Sequence, residues 1–403
     1  MRKIQVITNS ERECFGQCRA KHGYAYHELL RPLVTAKPLT RGTLFHAGVS
    51  QGWREAWSLE NWHLPLVERA ELAKLAAMKA VNLAVDSGHT QIADDAQERH
   101  DELEELARIA TWCAKYYFQV RQYDLDPGRM IPLAIEQPFS IRLRNAKGNL
   151  SNVQLDGVID LVLYDREDNM IRVEDFKLTE LGPDAMSKKL DLNTQVIGYL
   201  LAVREFLRGH AEFFNFLWKL CGSAAVPSNF DLATCRTGVT AFNVMKAKIP
   251  TVPSINQKGD VSVKQIDTIP EIYNEALTEQ LGRGIPVSDK QRELLAKLSA
   301  RSGWFQQLEF SRSNEEIRRF IAELEVEAKS IRETGRRPEL RIRNPGHCTA
   351  PASYGCAYKA VCMDPTSQTI RNNFYRVATS AHEEVKEAGQ NGEQQEEVDK
   401  LNW

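Results

Sequence analysis

At 403 residues and 42% hydrophobic content, the chain has the length for one large domain or two and the apolar content for a substantial core. A formal net charge of −2 excludes a globally basic nucleic-acid binder, but residues 1–41 carry eight Lys/Arg against three Asp/Glu, and residues 382–400 carry seven Asp/Glu against two Lys. No apolar run reaches bilayer length and the N-terminus lacks the apolar stretch of a signal peptide, so a cytoplasmic protein with no membrane partner is expected.

Ser10 caps a helical pattern that is expected to run to near Pro32, with Cys14 and Cys18 on one face. Gly42 and Thr43 read as a helix entry, with His46 in its first turn or two. Residues 53–122 are rich in strong helix formers and read as several helices, broken at D-S-G-H-T. From Ile131 the period changes to two. P-L-A-I-E-Q-P-F-S-I-R-L-R, Asn152–Tyr164 and Met170–Lys177 read as a three-strand meander, followed by a helix over Ser187–Leu207 and a further strand over Ala211–Leu220. Residues 221–270 read as an excursion rich in Gly, Pro and Thr, with five Lys/Arg and one Asp between Arg236 and Lys264, a candidate for touching nucleic acid. Residues 269–336 are helical again, with a short strand at Phe305–Phe310. The acidic tail from His382 has a disorder-type composition. The order of elements predicts an α/β fold, a mixed sheet flanked by helices with helical insertions.

The chemistry concentrates in Gln154–Tyr199. Alternation along a strand puts Asp156 and Asp160 on one face, and Asp175 and Lys177 on one face of the next. If the strands are neighbours, Asp160 and Asp175 meet. Two carboxylates at one point repel unless a cation lies between them, and oxygen ligands favour Mg²⁺ or Mn²⁺. A lysine beside that cation suits phosphodiester hydrolysis, because it can orient the attacking water or meet developing negative charge. Gln195 and Tyr199, four residues apart, share a helix face and can hold the lysine.

In order, G-T-L-F-H ending at His46, G-V-I-D ending at Asp160, D-F-K at Asp175–Lys177 and Q-V-I-G-Y at Gln195–Tyr199 resemble the PD-(D/E)XK nuclease superfamily, in its RecB-like and AddB-like exonuclease branch. The resemblance implies a restriction-endonuclease-like core. It makes His46, Asp160, Asp175 and the backbone carbonyl of Phe176 the metal ligands, Lys177 the catalytic lysine, and Gln195 and Tyr199 the branch's Q-x-x-x-Y pair. Glu136 matches an acidic position on the preceding strand, with no catalytic role assigned. Many such nucleases carry a [4Fe–4S] cluster on one cysteine before the core and three after it. Here Cys18, Cys348, Cys356 and Cys362 have that distribution, with Cys14 the alternative to Cys18 and Zn²⁺ the alternative occupant. Ala20 and a missing proline after Cys18 depart from the family segment, as do the seven residues between Cys348 and Cys356 where two are usual.

The domain reading is a nuclease domain over 1–365, with a helical insertion at 52–130, the catalytic core at 131–220, a loop and helical region at 221–345 and the cysteine cluster at 346–365. A C-terminal extension follows over 366–403. The expected function is a divalent-metal-dependent DNA exonuclease of recombination, repair or phage DNA processing, acting on single strands or duplex ends. The alternative is a non-cleaving nucleic-acid-binding or scaffold subunit. No G-x-x-x-x-G-K-[ST] loop is present, so no nucleotide cofactor is expected, and a helicase or annealing protein would be a separate partner.

Overall fold

The computed structural model describes residues 4–33, 37–86, 96–144, 148–191, 193–209, 236–264, 267–300, 303–348, 356–383 and 385. The Ala211–Leu220 strand, the end of the D-S-G-H-T break, Cys221 and Cys235, and the tail beyond 385 lie outside them. In chain order the strands are β1 (Gln5–Thr8), β2 (Leu30–Pro32), β3 (Met130–Arg144), β4 (Leu150–Asp165), β5 (Met170–Thr179), β6 (Arg236–Lys246), β7 (Phe305–Ser311) and β8 (Tyr375–Val377). The helices are α1 (Asn9–Gln17), α2 (Arg19–His22), α3 (Lys37–Ala56), α4 (Leu66–Asp86), α5 (Ala96–Val120), α6 (Pro183–Asp191), α7 (Gln195–Gly209), α8 (Pro270–Gly282), α9 (Asp289–Ala300), α10 (Asn314–Arg336), α11 (Pro345–Cys348), α12 (Lys359–Met363) and α13 (Gln368–Phe374).

Six strands form a mixed sheet flanked by helices, the expected fold class. β3 runs antiparallel along nearly the whole of β4. The other edge of β4 is shared. β1 pairs in parallel with Val153–Asp156, and β5 pairs antiparallel with Leu161–Asp165. Gly157–Asp160 fall between the two partners, so this edge of the sheet is split at Asp160. β5 then pairs in parallel with β6, and β6 antiparallel with β7. Separately, β2 and β8 make a two-stranded sheet that joins the two ends of the chain, Leu30 opposite Val377.

α3 is held against α4 and α5 by close approach. Gly52 has no room for a Cβ, because the Phe118 ring and the Ala73 carbonyl lie where it would go. Trp53, Trp57, Phe45 and Phe118 are fully buried in the main core. This packing fixes α3 beside β5 and so fixes His46.

Four expectations change. The helix from Ser10 does not reach Pro32: α1 ends at Gln17, Cys18 is extended (φ −165°, ψ 117°) and its sulfur accepts from Lys21 N–H, capping α2. Cys14 and Cys18 therefore do not share one continuous helix. α3 begins at Lys37, so His46 is in its middle and not in an entry turn. The Ser187–Leu207 helix is two, α6 ending at Asp191 and α7 beginning at Gln195. Residues 236–246, read as part of an excursion, are the buried strand β6. Its polar Thr240 and Asn243 mask the strand pattern, yet both are fully buried and hydrogen-bonded.

Candidate active site

The β4–β5 ladder stops at Leu161 opposite Glu174, one step short of Asp160 opposite Asp175. Past that point the Asp160 side chain substitutes for the ladder, its Oδ2 accepting the Phe176 N–H at 2.8 Å. His46 reaches in from α3. Its Nε2 donates to the Phe176 carbonyl at 2.9 Å, which leaves Nδ1 toward Asp160 Oδ2 at 3.5 Å and Glu136 Oε1 at 3.6 Å. That bond sets the tautomer: in the neutral ring, Nδ1 carries the lone pair. It also occupies the Phe176 carbonyl, assigned above as a metal ligand, with an imidazole N–H.

Glu136 is the addition that the structure makes. It sits on β3 in the left-handed region (φ 48°), which a non-glycine residue occupies at a cost of about 1–3 kcal/mol. The conformation aims its carboxylate at Ser50 Oγ (2.7 Å) and at His46. His46, Glu136 and Asp160 offer ligand atoms that all lie within 4.8 Å of one another. The sequence carried one signal for this, a carboxylate inside the apolar run L-A-I-E-Q-P-F. Asp156 stays out of the site, taken by Ser140 Oγ (2.7 Å) and Gln154 Nε2 (3.0 Å).

Beside this group a closed ring of contacts holds the lysine. The Lys177 ammonium lies 2.8 Å from Asp175 Oδ2 and donates to Gln195 Oε1 at 3.0 Å. Gln195 Nε2 donates to the Tyr199 hydroxyl at 2.6 Å, and that hydroxyl donates to Asp175 Oδ1 at 3.4 Å. The Phe139 ring packs edge-on against Tyr199. All six motif side chains, His46, Asp160, Asp175, Lys177, Gln195 and Tyr199, thus meet at the split edge.

The electrostatics are those of a site short of positive charge. Burial pushes the Asp160 carboxyl up to about 8, with Asp175 and Glu136 adding to the push and His46 and Lys177 opposing it. Burial disfavours the His46 cation, but Asp160 and Glu136 outweigh it and raise the ring to about 9. Asp175 Oδ2 is buried, accepts no hydrogen bond of good geometry and has only the ammonium beside it. Hard oxygen donors, one imidazole nitrogen and an orphaned buried carboxylate oxygen fit a divalent cation.

The sequence model of the PD-(D/E)XK nuclease superfamily matches residues 7–363. The chain belongs to the PD-(D/E)XK nuclease superfamily. Among curated proteins no match is found. The matched span contains the split edge, His46 and Cys18 upstream of it, and Cys348, Cys356 and Cys362 beyond it. Superfamily membership gives the nuclease class and its use of divalent metal, and no described helix is long and apolar enough to cross a membrane.

Cysteines from both parts of the chain lie in the region beyond the C-terminal end of α1. Cys14 is buried in a small core with Tyr358, Val361 and Tyr375, and burial pushes its thiol up to about 11. Cys18 has its sulfur on the Lys21 N–H (3.5 Å). After burial and the opposing Arg343 guanidinium, Cys18, Cys348 and Cys356 each raise the Cys362 thiol, so the four lie within electrostatic reach. Among the described residues no three thiols come within 4.8 Å of one another, so they are not clustered as ligands of one ion. Tetrahedral Zn²⁺ with sulfur at about 2.3 Å would require that closeness.

Proposed function

We propose that this protein is a divalent-metal-dependent deoxyribonuclease, an exonuclease of DNA recombination, repair or phage DNA processing. The observation that carries the reading is the meeting of His46, Glu136 and Asp160 at the split edge, with Lys177 held alongside by Asp175 and Gln195. In this reading His46 Nδ1, Glu136 and Asp160 would hold Mg²⁺ or Mn²⁺, and Asp175 would join them through Oδ2, which it shares with the Lys177 ammonium. A bound cation lowers the pKa of a coordinated water and polarises the phosphate. The chain's own groups do the rest. Lys177, its ammonium fixed by two acceptors, presents its remaining N–H to the water or the non-bridging phosphate oxygen. Tyr199 and Gln195 keep that ammonium from swinging away, and the His46 bond to Phe176 keeps the Nδ1 lone pair directed inward. All three residues whose loss would mark a non-cleaving scaffold, Asp160, Asp175 and Lys177, are present.

Supporting a [4Fe–4S] cluster on Cys18, Cys348, Cys356 and Cys362 are their convergence from both chain ends and the backbone N–H already on the Cys18 sulfur. Cys14 is packed into an apolar core that Cys356 borders, while Cys18 is among the cysteines that act on Cys362, which favours Cys18 as the fourth ligand. The cluster would reinforce a junction that β2 and β8 already make, and hydrolysis needs no electrons from it.

The test is to incubate purified protein with end-labelled linear and covalently closed circular DNA in Mg²⁺, Mn²⁺ or EDTA, beside Asp175→Ala. Loss of linear DNA alone, abolished by EDTA and in the variant, is the expected outcome. Cleavage of circles removes the exonuclease assignment, inert wild type under every metal removes the enzyme, and an active Asp175→Ala removes the site. Anaerobic preparations are expected to be brown; colourless, iron-free protein removes the cluster.

A further inference from the structure

Gln195 is the residue that accepts from Lys177, and packing does not hold it. It borders a cavity of about 180 Å³ lined by Asn9, Arg12, Glu13, Thr194, Gln195 and Glu327. A side chain beside open space keeps one rotamer only if polar contacts impose it. Gln195 opens α7, and Thr194 precedes it, its carbonyl accepting from Ile197 and Gly198 N–H in the first turn. The placement of that turn therefore decides where Gln195 Oε1 sits.

Two side chains of α1 grip the turn. Arg12 Nη1 donates to Thr194 Oγ1 at 3.2 Å and to Asn9 Oδ1 at 3.3 Å. Asn9 itself lies against Gly198, where an added Cβ would be only 3.2 Å from its Nδ2. Gly198 is thus the glycine of Q-V-I-G-Y that lets α1 approach the helix carrying Gln195 and Tyr199. Arg12 is in turn anchored from a third element. Its Nε donates to Glu327 of α10 and its guanidinium lies 4.8 Å over the Phe320 ring. The guanidinium is buried, and only a planar fork can reach Glu327 on one side and Thr194 on the other.

We infer that Arg12 is a positioning residue for phosphodiester cleavage, joining α1 and α10 to the first turn of α7 so that Gln195 holds the Lys177 ammonium in place. The inference rests on the nuclease reading of the site. Arg12 touches neither the proposed metal ligands nor Lys177, so its loss is expected to spare metal and DNA binding and to lower turnover. Misplacing a catalytic group by about 1 Å costs on the order of a hundredfold in rate, and a partial shift of Gln195 is expected to cost about tenfold or more.

The experiment compares wild type, Arg12→Ala and Arg12→Lys. Expected are lower turnover in both variants, unchanged KM for DNA and unchanged Mn²⁺ dependence, with partial restoration of Arg12→Ala by millimolar guanidinium. A second measurement needs no activity: pulse acylation of lysines, read by mass spectrometry as the ratio of Lys177 to the exposed Lys359. That ratio is expected to rise severalfold in Arg12→Lys, because the ammonium is released from Gln195 while the fold persists. Wild-type turnover in the variants, or an unchanged labelling ratio, overturns the inference. Wild type inert in every metal overturns the nuclease reading, and the labelling ratio then still decides whether Arg12 holds Lys177.

Discussion

Glu174 and Asp175 are adjacent carboxylates on β5 that face opposite sides of the sheet, and their surroundings differ in one respect. Glu174 is fully buried and fully partnered. Its Oε1 accepts from Arg121 (3.1 Å) and Gln307 (2.8 Å), and its Oε2 from Asn243 (2.7 Å). Asp175, almost as buried, is left with an oxygen that no hydrogen bond satisfies. Buried polar groups are ordinarily satisfied, and this oxygen lies beside the His46–Glu136–Asp160 group, where a cation would complete it. On one face of β5 Glu174 is closed in by three neutral or cationic donors; on the other, Asp175 Oδ2 faces only the Lys177 ammonium.

The largest expected effects test this asymmetry directly. Asp175→Ala is expected to abolish cleavage while the metal-free protein stays folded, since the partner it leaves behind, the Lys177 ammonium, is partly exposed and still bonded to Gln195. Glu174→Ala should do the reverse in kind. It removes one of the two carboxylates that face the buried Arg121 guanidinium and leaves only Asp124, and breaking one partner of a buried pair costs up to about 3–5 kcal/mol. Urea unfolding monitored by circular dichroism reads both. Equal destabilisation by the two variants would erase the contrast between the faces.

Much of this contrast was legible in the sequence, for a physical reason. Period-two alternation separates Glu174 from Asp175 and pairs Asp175 with Lys177, and helical spacing pairs Gln195 with Tyr199. Those are properties of the backbone repeat. What was not legible depends on long-range geometry. Glu136 enters the site through a left-handed φ that no pattern announces. β6 was hidden because Thr240 and Asn243 are polar in sequence, and only the Glu174 network explains why Asn243 is buried. The end of α1 at Cys18 was hidden because no proline or glycine stops it there; the Cys18 sulfur does, by capping the next helix.

A middle-sized effect comes from the ligand itself. A cation that binds only the folded protein stabilises it by about 2.7 kcal/mol at a hundred times its Kd. Mn²⁺ is expected to raise the melting temperature of wild type and to leave Asp160→Asn unchanged, since that variant loses a donor of the His46–Glu136–Asp160 group. An equal shift in both would place the ion elsewhere.

The smallest effect separates the split edge from the Glu11 group in the first turn of α1 by the sign of its pH dependence. Asp160 titrates at about 8 when folded and near its ordinary value when unfolded. The folded state therefore holds the extra proton between those values, and metal-free stability falls as pH rises through that window. His46, raised to about 9, has the same sign: its contribution is complete below its unfolded value of about 6.5 and is lost as pH rises through about 9. Glu11 behaves oppositely. Burial raises its pKa, but hydrogen bonds from His22 (3.0 Å) and His382 (2.9 Å) more than offset this, and the carboxyl is lowered. Its contribution is present above its unfolded value and is lost as pH falls through the lowered one. These bonds also tie His382, read as the start of a disordered tail, to α1. Melting temperatures of metal-free protein between pH 3 and 9 are expected to shift by about 1–2 °C per kcal/mol. Asp160→Asn should flatten the alkaline limb alone and Glu11→Gln the acid limb alone. If either variant flattens both, the Asp160 and Glu11 groups titrate as one network and the contrast in sign fails.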